Sequence, residues 1–444
     1  MKFPEGFLFG AATSAIQYEG SALVDGKGLS VNDIRFKEHG IETPEESLCS
    51  DGYHRYKEDI ALMKELGLKS YRFSISWSRI CPDGDGDFNP KGIQYYHDVI
   101  DTLVENGIEP VITLFHFDLP YGLVEKYDGF VDRRCIDAFD RYCRKCFLEY
   151  GDKVHYWLTI NEQNVMVMIP EMLGIKEDTD RKCAISNYHM FLASAKAIAS
   201  CHEMLPNAKI GPCVSYPTLY PETCNPKDVR LAYEGENAMA YDPMEVYVYG
   251  YIPNTMLKKW EEVGFVPDNL KNDLSILKAG KPDYLGLNWY CTQTIGTNNE
   301  KATLNFGPAS MIENPYLEYG KWGWSYDPTA LKMALQECHY RFRLPLMICE
   351  NGWSQLDKVE DGCVHDPKRT SYIHDHMVSM LEAIESGVDL IGYQYWSFTD
   401  IQSSSQGFEK RYGLVYVDQN TMERIKKDSF YWYKETIQNE GSNL

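Results

Sequence analysis

Tyr156-Trp157-Leu158-Thr159-Ile160-Asn161-Glu162 and Leu344-Pro345-Leu346-Met347-Ile348-Cys349-Glu350 follow one pattern. Each is a short, β-prone apolar run that stops on a carboxylate, and Asn351-Gly352 turns the chain after the second. Apolar runs of this length, bounded by turn signals, fit strands buried on both faces. Similar runs occur at Phe7–Ser14, Ser70–Ser76, Pro110–Phe115, Lys209–Val214, Asp283–Tyr290 and Asp389–Trp396, and the two opening stretches supply Val154–Ile160 and Leu344–Cys349. Helical patterns lie between them, at Tyr53–Leu66, Asn89–Glu105, Arg133–Glu149, Ala184–Met204, Pro328–Tyr340, Thr370–Ser386 and Met422–Gln438. In the first of these, Tyr56, Ile60 and Met63 share one stripe, and Gly67 and Gly107 fall where helices should stop.

Eight strands alternating with helices predict a closed parallel (β/α)8 TIM barrel of the α/β class with elaborated βα loops. The expected organisation is one catalytic domain over residues 1–444, since no linker or repeat interrupts the pattern. An open doubly wound sheet is the rival, but no glycine-rich nucleotide turn follows the first strand. Residues 216–282 read as the least regular stretch. By count, Glu162 closes the fourth strand and Glu350 the seventh. Both would then face the barrel mouth, where catalytic side chains gather. Two carboxylates so placed fit a pair that divides acid and nucleophile work on one bond, whereas two exposed loop carboxylates are the plainer reading.

The formal charge of -21 repels phosphate backbones and anionic membrane surfaces, which argues against nucleic-acid or membrane partners. It leaves room for a small anionic ligand beside one local cation. The N-terminus lacks a secretory h-region, no stretch has the apolar length of a membrane span, and 13 cysteines are scattered without a disulfide framework. The expected location is cytoplasmic, with reduced thiols.

The motifs around the two glutamates resemble glycoside hydrolase family 1, the retaining β-glycosidases. The resemblance runs from Phe7-Leu8-Phe9-Gly10-Ala11-Ala12-Thr13 to Gly413-Leu414-Val415-Tyr416-Val417-Asp418. It includes Tyr71-Arg72-Phe73-Ser74-Ile75-Ser76-Trp77-Ser78-Arg79 and Thr113-Leu114-Phe115-His116-Phe117-Asp118-Leu119-Pro120. Phe117 and Gln163 stand where the family usually has Trp and Pro. The resemblance implies Glu162 as acid/base and Glu350 as nucleophile, held by Arg72 and Tyr290. It implies Gln17, His116, Asn161 and Trp396 as sugar ligands and Trp324 as the aglycone wall. An ionised Glu350 should raise the pKa of Glu162, and glycosylation of Glu350 should lower it again.

The loop Asp400-Ile401-Gln402-Ser403-Ser404-Ser405-Gln406-Gly407-Phe408-Glu409-Lys410-Arg411-Tyr412-Gly413 discriminates within the family. Ordinary β-glucosidases usually carry Glu and Trp at 403 and 404 and Phe at 412. The phospho-glycosidase branch carries Ser, Lys and Tyr at 403, 410 and 412. A glutamate at 403 would repel a 6-phosphate, whereas Ser403, Lys410 and Tyr412 can donate to one. Ser404 departs from the Trp of phospho-galactosidases, so phosphoglucosides fit better. The expected activity is therefore a 6-phospho-β-glucosidase acting on a small-molecule glycoside, with a homo-oligomer left open. The alternatives are an unphosphorylated β-glucosidase or β-galactosidase and a silent sugar-binding barrel. Cys143-Arg144-Lys145-Cys146 is a lone CxxC, and Asp83-Gly84-Asp85-Gly86-Asp87 has Phe88 where a calcium loop needs glycine. Neither is read as a metal site; the expected chemistry requires no metal and no cofactor.

Overall fold

The computed structural model describes residues 2–297, 312–403 and 406–444. Eight strands form a closed ring: β1 (Leu8–Ala12), β2 (Ser70–Ser74), β3 (Glu109–Phe115), β4 (Tyr156–Asn161), β5 (Lys209–Ser215), β6 (Leu285–Asn288), β7 (Leu346–Asn351) and β8 (Leu390–Trp396). They follow chain order around the ring, and every pairing is parallel. β1 closes the barrel against β8, with Leu8 beside Gly392 and Ala12 beside Trp396. All six residues of β7 and all five of β2 are buried, as strands walled on both faces require. The eight expected strands are therefore the barrel, and the open-sheet alternative is excluded.

Val111, Leu158, Cys213, Tyr284, Met347 and Cys349 pack together as one buried cluster. A larger apolar layer includes Ile60, Met63 and Leu66 from helix Gly52–Leu66. That helix stops where Gly67 takes φ +88°, a conformation that strains residues with a Cβ. Helix Pro90–Glu105 begins with Pro90 in its first turn, and the Asn89 side chain accepts the Lys91 amide. The CxxC cysteines lie buried in helix Arg134–Tyr150, and all 13 cysteines are free thiols. The Asp83–Asp87 turn is tied down at Asp85 by Lys126 and Tyr127. No helix among the described residues is long and apolar enough to cross a membrane.

Two expectations need correction. Residues 216–282 are not irregular: they hold a strand at Thr218–Pro221 and helices at Pro226–Glu236, Asn237–Tyr241, Asp242–Tyr249, Asn254–Glu262 and Leu270–Ala279. Pro226, Pro243 and Pro253 sit at helix starts, where a missing N–H is harmless, so they punctuate helices rather than break them. The last helix begins at Asp428, not Met422. Arg424–Lys426 instead pairs antiparallel with Val415–Val417. Buried charge pairing decides this: Arg424 binds both oxygens of Asp59, and Lys427 enters the interior to meet Asp400.

Candidate active site

The carboxyl ends of the strands deliver the polar groups. Arg72 lies on β2, His116 just after β3, Asn161 at the end of β4, Asn288 at the end of β6, Glu350 near the end of β7 and Trp396 at the end of β8. Glu162 follows β4 and starts the short helix Gln163–Met166 with φ +47° and ψ +48°. Its amide donates to the Cys213 carbonyl (2.8 Å), which pins this left-handed residue to the neighbouring strand.

Glu350 is buried and doubly held. Arg72 Nη1 donates to Oε1 at 2.5 Å, and the Tyr290 hydroxyl donates to Oε2 at 2.6 Å. Arg72 is itself fixed: Nε donates to Thr113 Oγ1 (2.9 Å) and Nη2 to Asn161 Oδ1 (2.7 Å). Asn288 Nδ2 then reaches Asn161 Oδ1 (3.1 Å) and Glu162 Oε1 (2.7 Å). The two glutamates are thus joined through Arg72, Asn161 and Asn288. Burial raises the Glu350 carboxyl, while Arg72 and Tyr290 pull it back toward ionisation.

Glu162 is half-buried and faces a cavity of about 170 Å³ that it lines with Val165, Tyr216, Cys291, Gln293 and Trp324. Its carboxyl is raised to about 8, first by burial and second by the charge of Glu350. The expected effect of Glu350 is present, but desolvation exceeds it. A carboxyl in this state is protonated at neutral pH and can act as an acid.

His116 is buried and neutral. Two donors fix Asn161 Oδ1, so Asn161 Nδ2 must donate to His116 Nε2 (3.1 Å), and the ring proton sits on Nδ1. Burial first, and the Arg72 charge second, hold the imidazole well below its usual pKa. Its 3.8 Å approach to Glu350 is therefore not an ion pair. The ring stacks near Trp396, with centroids 6.0 Å apart. Phe117 packs edge-on to His116, and Gln163 bonds to Asn187 and Tyr247.

The discriminating loop lies beside this centre. Gln17 Nε2 donates to the Gln402 carbonyl (2.8 Å), so the first βα loop meets the last. Trp324 packs on Tyr290 (4.8 Å between centroids) and on Tyr412 (5.9 Å). Tyr412 also interacts with Ser403 and feels the charge of Glu350. Lys410 is 6% exposed, with Nζ 3.8 Å from the centre of the Trp324 ring. Burial lowers it to about 8, and no carboxylate among the described residues opposes that shift. Ser404 lies outside the described residues. All twelve anticipated side chains thus gather around one barrel mouth. Asn288, which donates to Glu162, was not anticipated; its signal is a lone amide closing the apolar run Tyr284–Leu287.

The sequence pattern of Glycosyl hydrolase family 1 matches residues 1–442. The aryl-phospho-β-D-glucosidase BglC of Bacillus subtilis is 40% identical, covering 100% of this chain and 98% of its own. A 6-phospho-β-glucosidase of Dickeya chrysanthemi is 39% identical, covering 100% and 99%. Among solved structures, the family 1 β-glucosidase of Thermotoga maritima superposes with a TM-score of 0.92 at 34% identity, covering 99% of each chain. The ring of parallel strands, the paired glutamates and these full-length likenesses agree: the chain belongs to glycosyl hydrolase family 1.

Proposed function

We propose that this chain is a retaining 6-phospho-β-glucosidase in which Glu350 is the nucleophile and Glu162 the acid/base. Glu350, ionised beside Arg72 and aimed by Tyr290, attacks the anomeric carbon as the bond to the aglycone oxygen breaks. Glu162 gives its proton to that oxygen. The glycosyl ester removes the Glu350 charge, the second cause of the raised Glu162 pKa. Glu162 then becomes the better base, takes a proton from water, and the hydroxide displaces Glu350. Because burial persists, the fall in its pKa is only partial.

Gln17, His116, Asn161 and Trp396 are assigned to the glycone, and Trp324 to the wall between glycone and aglycone. Ser403, Lys410 and Tyr412 are assigned to the 6-phosphate. The observation that carries this reading is Lys410, a buried ammonium whose neighbours among the described residues are aromatic faces rather than a carboxylate. A cation held in low dielectric without a counter-charge is destabilised, and a bound phosphate dianion supplies that charge. The chain is read as one catalytic unit in a cytoplasmic setting, in line with its 13 cysteines scattered without a disulfide framework.

The test compares p-nitrophenyl β-D-glucoside with its 6-phosphate. Charge-assisted bonds of about 1.5–3 kcal/mol each predict that kcat/KM favours the phosphate by about two to four orders of magnitude. Equal or faster turnover without phosphate overturns the assignment in favour of an unphosphorylated glucosidase.

A further inference from the structure

Behind the loop that carries Ser403, Lys410 and Tyr412 lies a buried set of six charges. Asp357, Asp366 and Asp400 face Arg369, Arg411 and Lys427. Five of the six have fully buried side chains, and Arg411 is nearly so. Asp400 is the centre of this set. Its Oδ1 accepts Lys427 Nζ (2.7 Å) and the Gly413 amide (2.9 Å), and its Oδ2 accepts Arg411 Nη1 (2.7 Å). Its own amide donates to the Val415 carbonyl at 2.8 Å, and its carbonyl accepts Ser50 Oγ at 2.6 Å.

Asp400 stands where the loop begins, and Arg411 and Gly413 stand where it ends. One carboxylate therefore ties both ends of the loop and brackets Tyr412 between two of its bonds. Three negative and three positive charges balance behind the loop, so every cation there has a protein partner. Lys410 is one residue away from Arg411 but points to the aromatic wall and takes no part.

Resting on the phosphoglucosidase reading above, we infer that Asp400, with Arg411, is a positioning residue for phosphate recognition. It sets where the loop ends lie, and hence where Tyr412 and Lys410 stand. By occupying Arg411 and Lys427 it also leaves Lys410, outside this set, as the cation that faces substrate. Asp400 touches no reacting atom. Its removal should loosen the grip on the phosphate before it disturbs Glu162 and Glu350, whose hydrogen bonds run through Arg72, Tyr290, Asn161 and Asn288 instead.

The test is Asp400→Asn, read as KM and kcat on the nitrophenyl glucoside 6-phosphate and on the unphosphorylated glucoside. The expected result is a KM for the phosphorylated substrate raised about tenfold or more, with kcat within about threefold of wild type. The preference for phosphate then shrinks by a similar factor. Equal losses of kcat on both substrates, with KM unmoved, overturn the inference and leave a merely structural role; so does an unaltered preference. Should Asp400→Asn fail to fold, Arg411→Lys decides by the same outcomes, because it keeps the charge balance while shortening the reach to Asp400. A wild-type enzyme without phosphate preference overturns the reading of the loop together with this inference. A wild-type preference that survives in the variants overturns the inference alone.

Discussion

Arg72 and Lys410 are both buried cations within the same barrel mouth, yet their surroundings are opposite. Arg72 donates to Thr113, Asn161 and Glu350, so its charge is engaged by the protein. Lys410 rests over Trp324, with Trp322 and Tyr412 nearby, and no acid among the described residues meets it. The first arrangement fixes a charge that must not move during bond cleavage. The second, on the reading proposed above, holds a charge in reserve for an anionic substrate. On the roles proposed above, chemistry and recognition would carry different electrostatic signatures: satisfied pairs at the reacting atoms, and a cation without a carboxylate among the described residues where the ligand is chosen.

Experiments can break this contrast at its strongest point first. Glu350→Ala should lower kcat by about 10⁴-fold or more, since groups that act as a unit fail together. Azide should restore turnover of an aryl glycoside with inverted product stereochemistry, read by NMR; retention in the rescued reaction would remove Glu350 from the nucleophile role. Glu162→Gln should cost about 10²–10⁴-fold on glycosides with poor leaving groups and much less on nitrophenyl glycosides, which need little protonation. Equal losses on both would deny Glu162 its acid role. Lys410→Met should reduce kcat/KM on the phosphorylated substrate by about 10–150-fold, the worth of one charge-assisted bond, and so collapse the ratio between substrates. A ratio that stays put would erase the distinction between the two cations.

The smallest effect sharpens the acid's side. The Asn288 amide stabilises the ionised form of Glu162. Asn288→Ala should therefore move the alkaline limb of kcat/KM upward from about 8, with a loss of about tenfold or less at neutral pH. A limb that moves down contradicts the hydrogen bond. The same carboxyl makes folding pH-dependent. Its folded pKa lies above its unfolded value, so the native state holds the extra proton between about 4.5 and 8. Its contribution is fully present below the unfolded pKa and is lost as pH rises toward 8. Glu162→Gln should raise the Tm more at pH 8 than at pH 5.

Much of this was legible in the residues. The eight barrel strands stand out because walled-in strands are apolar throughout and end on polar groups, as at Asn161-Glu162 and Glu350-Asn351. The paired glutamates stand out by their place at strand ends, and the trio Ser403, Lys410 and Tyr412 only through the family resemblance; the fold brings both to one barrel mouth. What stayed hidden depended on partners distant in the chain. Lys427 looks like a helix residue until Asp357 and Asp400 draw it inward. Asp400, Arg411 and Arg369 look like ordinary polar residues until the fold buries them together. Gly352 reads as a turn residue, but a Cβ there would lie 1.8 Å from the Trp396 carbonyl oxygen, so the close approach of two barrel strands demands it.

Glu162 sits in a left-handed conformation that asks about 1–2 kcal/mol of any residue with a side chain. Its carboxyl also holds a proton that water would have removed. Selection for foldability alone would discard it, and glycine at this position would relieve both burdens at once. If Glu162 is the acid/base proposed above, a lineage released from the need to cleave glycosides should drift toward a sturdier, inert barrel.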